Sequence, residues 1–248
     1  TLRLLQSYNN ESGLLPTGFV YDNALAVIAY LAHPTSDHVR RARVLGDSLL
    51  FAQNTDVAHD GRVRQAYFTG PLVWYGGGPF LPGFLGAGGA IPAYLFGFTG
   101  ASTGDAAWVG LALVRLYEHT RDQRYLDGAV AIGNFITRTA TSPHRFGGYL
   151  GGLADDGTTE IQWSSTEHNV DVYGLFRLLA QFTGQASWQR KAECARAFVA
   201  SMWDDDGGFF YTGTQDPAAS YPDGNSGLAP SSPAGDPGQI NKSQVAED

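Results

Sequence analysis

The stretch Asp105-Ala106-Ala107-Trp108-Val109-Gly110-Leu111-Ala112-Leu113-Val114-Arg115-Leu116-Tyr117 is apolar on nearly every side. A few residues later, positions 124–136 carry a single apolar stripe of Tyr125, Ala129, Ile132 and Ile136. The first pattern suits a helix surrounded by protein, and the second a helix with one wet face. The same alternation recurs on either side. Residues 22–31 are followed by 39–53, with a stripe of Ala42, Leu45, Leu49 and Ala52. Residues 169–179 are followed by 188–202, with a stripe of Trp188, Ala192, Ala195, Phe198 and Met202.

Within each pair the connection is a few residues of turn chemistry: His33-Pro34-Thr35-Ser36, His119-Thr120-Arg121-Asp122 and Thr183-Gly184-Gln185-Ala186. Connections this short join antiparallel neighbours, so the chain reads as three αα-hairpins. Between pairs the sequence changes character. Residues 54–104 and 139–164 are long, rich in glycine and aromatic residues, and too polar at intervals for helix. In an array of antiparallel hairpins such connections leave from one end, where long loops on a rigid frame carry function.

The chain has 248 residues, 43% of them apolar, and a formal charge of −8. That is enough to bury a sizeable core, and no run of about 20 apolar residues suggests a membrane span. An acidic balance without a Lys/Arg cluster argues against nucleic acid and anionic membranes as partners. Cys194 is the single cysteine, so no intrachain disulfide or cysteine-based zinc site is expected, and its place in the outer helix predicts a packed, inert thiol. Few lysines, a single methionine and a first residue other than Met point to a processed, extracellular or cell-envelope chain.

Asn9-Asn10-Glu11-Ser12-Gly13 and Pro16-Thr17-Gly18 form turn clusters ahead of the first inner helix. Residues 70–104 interleave glycines with Trp74, Tyr75, Phe80, Phe84, Tyr94, Phe96 and Phe98. Gly86-Ala87-Gly88-Gly89 lacks both the spacing of a dinucleotide loop and a surrounding βαβ unit. Residues 146–153 and 158–163 read as a short β-hairpin about Asp155-Asp156-Gly157. Beyond a short aromatic strand at 209–211 the sequence becomes rich in Pro, Gly, Ser and Asp. A hairpin domain over 1–212 is therefore expected, with 213–248 a tail or a connection to a further segment.

The phrases Tyr21-Asp22-Asn23-Ala24-Leu25-Ala26, Gly104-Asp105-Ala106-Ala107-Trp108-Val109-Gly110-Leu111-Ala112-Leu113 and Ser165-Thr166-Glu167-His168-Asn169-Val170-Asp171 resemble the (α/α) toroid superfamily often called six-hairpin glycosidases. The resemblance covers roughly residues 15–212. It implies an all-α fold, an (α/α) hairpin toroid or partial toroid with aromatic, glycine-rich loops and a short β-hairpin on one face. It also implies carbohydrate bound where the loops gather, carboxylates near the inner-helix N-termini and sugars stacked on aromatic rings. Three hairpins make about half of a six-hairpin ring, so a further segment or another copy of the chain is expected to complete it.

Glycoside hydrolysis uses two carboxyl groups, about 5–5.5 Å apart for retention or about 6.5–9.5 Å apart for inversion. Asp22, Asp105, Glu167 and Asp171 stand at inner-helix starts, and Glu11, Asp155, Asp156 and Glu160 on adjoining loops. Helix-start carboxylates also serve as caps, and Ser164-Ser165-Thr166-Glu167 matches a capping box, as Ser102-Thr103-Gly104-Asp105 does in part. Polar groups crowd the 167–171 stretch beyond what a cap requires. Glu167 and Asp22 are therefore expected as the acid/base pair, supported by Asp171 and His168. Asn23, Asp105, Glu160, Trp74, Tyr75 and Trp163 are the expected substrate contacts, the three rings because Trp and Tyr combine a stacking face with a polar edge. No metal or cofactor is expected. Hydrolysis of a poly- or oligosaccharide leads. Epimerisation or lyase chemistry through His168 or Tyr21, and a non-catalytic glycan-binding or self-assembling role, are the alternatives.

Overall fold

The computed structural model describes residues 1–8, 14, 16–69, 73–74, 80–81, 83–217 and 235–242. They fall into two units, Thr1–Thr99 with Trp108–Ile132 and Gly100–Ala107 with Gly133–Asp248, and each is described by itself. All six expected helices form. The first unit holds β1 (Thr17–Phe19), α1 (Val20–Ala32) and α2 (Ser36–Thr55), followed by β2 (Ala66–Phe68), β3 (Val73–Trp74), β4 (Phe80–Leu81), β5 (Leu85–Gly86) and β6 (Gly89–Ala90). It also takes α3 (Thr103–Thr120) from Trp108 onward and α4 (Gln123–Thr139) as far as Ile132. The second unit holds β7 (Ala101–Ser102), the first turn of α3, the end of α4, and β8 (Gly152–Leu153) with β9 (Glu160–Ile161). It continues with α5 (Thr166–Thr183), α6 (Ala186–Ser201), β10 (Trp203–Asp204) and β11 (Phe209–Phe210). No helix among the described residues is long and apolar enough to cross a membrane.

Local chemistry sets the helix ends. The Thr35 hydroxyl accepts the His38 N–H at 3.2 Å and starts α2. Gly184, at φ +70°, ends α5 by donating to the Ala180 carbonyl, a backbone shape that favours glycine. The striped faces point inward as their spacing demands: Ala42, Leu45, Leu49 and Ala52 of α2 are buried, as are Trp188, Ala192, Ala195 and Phe198 of α6. Cys194 lies off that stripe and is exposed, which corrects the expected packed thiol, because successive helix residues turn by about 100°. The expected hairpin forms as β8 paired with β9, and β7 extends it to three antiparallel strands.

Outer helices approach the following hairpin closely through glycine. In the first unit a Cβ on Gly46 would lie 2.1 Å from Leu116 Cδ1 and 3.2 Å from Tyr125. In the second unit one on Gly133 would lie 2.8 Å from both Leu179 and Trp188. Gly46 and Gly133 hold matching places in α2 and α4, and so do the residues they meet.

The match extends to individual hydrogen bonds. Asn23 of α1 accepts the Leu5 N–H at 2.7 Å and donates to the Leu5 and Phe19 carbonyls at 3.1 and 2.8 Å. Asn169 of α5 accepts the Tyr149 N–H at 2.8 Å and donates to the Tyr149 and Ser165 carbonyls at 3.0 and 2.8 Å. Ser7 N–H donates to the Thr17 carbonyl as Gly151 N–H does to that of Trp163. The first N–H of each inner helix, from Val20, Thr103 and Thr166, donates to the carbonyl of Gln65, Gly151 and Thr212 respectively. The residue before each helix pairs antiparallel with the next residue on: Phe19 with Ala66, Ser102 with Gly152, and Ser165 with Gly213. Each inner helix thus grows from a short strand paired to the chain that leaves its own hairpin. Beyond Thr212 the chain stays engaged, since Gln215 N–H donates to Gln239 and Asn241 N–H to Gly213.

Asn23 and Asn169 are both fully buried, and their amides replace a β-ladder for one residue. Asn169→Ala would strand the Tyr149 N–H and carbonyl and should cost on the order of 2–4 kcal/mol in urea unfolding. Asn134→Ala, at an exposed position of α4, should stay within about 0.5 kcal/mol of the parent.

Candidate active site

The second unit gathers the largest share of the expected residues around the start of α5. Ser165 caps that helix, its Oγ accepting the His168 N–H at 3.3 Å, and the Thr166 hydroxyl donates to the Tyr211 carbonyl at 2.6 Å. The cap therefore sits one residue later than the expected box from Ser164 to Glu167. His168 takes the third helical position and Glu167 the second, which leaves the Glu167 side chain exposed in the positive field of the first turn. Asp171, one turn on, is buried at 8% exposure.

α3 opens in a similar way. The Ser102 Oγ accepts the Asp105 N–H at 3.4 Å, and the Thr103 hydroxyl donates to the Leu150 carbonyl at 2.7 Å. Gly104 then lets the two helix starts meet. A Cβ there would lie 2.5 Å from Cδ2 and 2.9 Å from Nε2 of His168, so the imidazole rests directly on the α3 backbone next to Asp105. Trp163 covers the ring from another side, with centroids 5.6 Å apart and planes tilted by 36°. Trp163 itself packs with Ala154 and Ile161.

His168 is only 9% exposed, and its buried Nδ1 has no hydrogen-bond partner among the described residues; nor has the buried Trp163 Nε1. Burial lowers the His168 pKa from 6.5 to about 4, so the ring is neutral near pH 7. A neutral imidazole can accept a proton or orient a hydroxyl without first losing a charge. Gly104, Trp163 and His168 thus pack into one buried cluster. The sequence reading did not single out Gly104, because its role depends on which ring packs against it.

The remaining expected residues divide. Asp155 accepts the Gly100 N–H at 2.6 Å, and Asp156 accepts N–H groups of Thr158 and Thr159 at 2.8 Å each. Hydrogen bonds from Thr159 hold the Asp156 carboxyl at a pKa of about 2, as suits a turn anchor. Glu160 is exposed at the start of β9, where Gln162 reaches it at 3.2 Å. In the first unit, Asp22 is half-buried in the first turn of α1, behind Phe19, which supplies no side-chain cap. Tyr21 meets Trp108 edge-on at 5.5 Å and 86°. Asn23 has no surface to offer a substrate, which corrects its expected binding role, because its amide is committed to Leu5 and Phe19. Trp74 lies in β3, and Tyr75 lies outside the described residues. By the shared register, Asp22, Asp105 and His168 are each the third residue of an inner helix.

Solved structures share this fold at low identity. A D-mannose isomerase matches with a TM-score of 0.62 and 15% identity over 86% of this chain and 52% of its own. A family 76 α-mannanase of Bacteroides thetaiotaomicron matches at 0.58 and 16%, over 81% and 49%. A cellobiose 2-epimerase of Bacillus thermoamylovorans matches at 0.59 and 11%, over 80% and 48%. These likenesses establish the (α/α)-toroid fold, and the chain spans about half the length of these structures. No protein-family model and no curated protein matches the sequence.

The lowered His168 pKa makes stability depend on pH. Between pH 6.5 and about 4 the unfolded chain takes up a proton that the folded chain refuses, so this contribution is fully present above 6.5 and is lost as pH falls toward 4. His168→Gln should flatten the stability profile in that window by on the order of 3 kcal/mol, measured by urea unfolding at stepped pH. An imidazole titrating at 6 or above by NMR would contradict the burial.

Proposed function

We propose that the chain belongs to a carbohydrate-active enzyme that hydrolyses a poly- or oligosaccharide through carboxyl groups at the inner-helix starts. The observation that carries this reading is the cluster at the start of α5. It combines an exposed Glu167 free of a capping box, a buried Asp171 on the next turn, and a neutral His168 held between Trp163 and the first turn of α3. Solved structures sharing the fold bear the names of an α-mannanase, a D-mannose isomerase and a cellobiose 2-epimerase, which supports a sugar as substrate.

In this reading Glu167 moves the proton at the glycosidic oxygen or at the attacking water, a role that requires a solvent-reachable carboxyl. The partner carboxyl in the same unit is Asp171 or Asp105. Asp22 is the candidate on the first unit's own inner helix, at the position His168 holds in α5. His168 supports the carboxyl groups at the helix start, and Trp163 backs its ring. Action outside the cell or in its envelope is part of the proposal.

A second reading assigns the base to His168, which packs against Trp163 and the first turn of α3, for removing a proton next to a sugar carbonyl, as epimerisation and elimination require.

Products separate the two. The chain would be incubated with neutral and acidic polysaccharides and with reducing disaccharides, and chain ends read by mass spectrometry. Hydrolysis predicts new reducing ends, lost by at least about 100-fold in Glu167→Gln of matching circular dichroism. Epimerisation predicts unchanged chain length and a dependence on His168 instead. Turnover untouched by Glu167→Gln, Asp171→Asn, Asp105→Asn and Asp22→Asn would exclude the carboxylate mechanism.

A further inference from the structure

The shared register makes the second unit a template for the first, and one side chain of the template has no counterpart. Leu5 corresponds to Tyr149, since each pairs its backbone with the helix asparagine. Tyr30 corresponds to Phe176 and His38 to Trp188: the first pair stacks at 5.7 Å and 43°, the second at 5.2 Å and 45°. In the second unit the Tyr149 ring fills the space between inner and outer helix. It is 2% exposed, meets Phe176 edge-on at 5.4 Å, and its hydroxyl donates to the Lys191 carbonyl of α6 at 3.2 Å.

In the first unit Leu5 is too short to do this and remains 44% exposed. The space is a cleft of about 350 Å³, with Leu5, Tyr30 and Val44 lining it beside Arg3, Arg40 and Arg41. Arg41 takes the place of Lys191, so its carbonyl stands where a phenolic hydroxyl would be received. Asp37 pairs with Arg40 and Arg41 from one turn earlier in α2. A guanidinium has five donors, so these pairs leave donors at the rim, and Arg3 adds another set.

We infer that this cleft binds a small aromatic carboxylate, whose ring takes the place of the missing Tyr149 ring and whose carboxylate is held by Arg3, Arg40 and Arg41. The ring meets Tyr30 edge-on, the arrangement Tyr149 adopts on Phe176. A para hydroxyl reaches the Arg41 carbonyl. This pocket lies in the first unit, is built from different residues than the cluster around α5, and does not depend on the sugar chemistry proposed for that cluster.

The test titrates the full chain with 4-hydroxyphenylacetate, followed by calorimetry and NMR, with 4-methylphenol as the uncharged comparison. Saturable binding is expected, weaker for 4-methylphenol. Leu5→Tyr supplies the missing ring from the chain itself, so it should abolish binding and raise the Tm. Arg3→Gln, a change on the exposed rim, should weaken the acid by about 3- to 10-fold and leave 4-methylphenol unchanged. No saturable binding by the parent chain, or equal binding by a folded Leu5→Tyr, would overturn the inference. Should Leu5→Tyr not fold, equal affinity of the parent and Arg3→Gln for the acid would overturn it as well. Sedimentation of a dimer that Leu5→Tyr dissociates, without ligand binding, would give the cleft to a second copy of the chain and refute the small-ligand assignment.

Discussion

A buried asparagine amide bonded to the backbone of one extended residue is the contact that anchors the first and third hairpins. Asn23 holds Leu5 and Asn169 holds Tyr149, each also tied to the carbonyl four residues before it. The amide supplies one donor pair and one acceptor, which satisfies the N–H and carbonyl of one extended residue on the side that faces the helix. Around the amide in α1 and α5, the strand before the helix, the first helical N–H and the chain leaving the outer helix take the register that α3, with Ala106 at that position, keeps through backbone bonds alone. The helix starts are then set by backbone bonds, and their side chains are left for other uses.

That division explains the character of the cluster at α5. Ser165, Thr166 and Asn169 are spent on capping and anchoring, whereas Glu167 and the free nitrogen of His168 are not. Burying a histidine without a partner for one nitrogen is unfavourable, and here the ring is packed between an indole and a glycine backbone.

Much of the fold was legible in the sequence, because helix periodicity and short turn-rich connections act over a few residues and leave a pattern of their own. The αα-hairpins, the β8–β9 hairpin and the crowding at 167–171 were all readable in this way. Other features were not. The role of Asn23 depends on Leu5, 18 positions away and without any motif, so a buried brace and a sugar ligand look identical as residue types. Ser164 and Ser165 are both competent caps by residue type; Ser165 takes the cap, while the Ser164 N–H donates to the Thr214 Oγ1 at 2.9 Å. Cys194 was read as packed because it is flanked by alanines, although the helix turns it outward.

The common register has a consequence for how such a chain can change over time. Asp22, Asp105 and His168 occupy one and the same backbone station in three hairpins, yet they differ in side-chain chemistry and in burial. A substitution at that station leaves the strand pairing untouched, and in α1 and α5 the asparagine brace as well. Hairpins that share this register can therefore differ in chemistry one station at a time, while the backbone frame that displays them stays the same. Divergence within one chain would then need no new fold and no new loop, only a different side chain at the third residue of a helix.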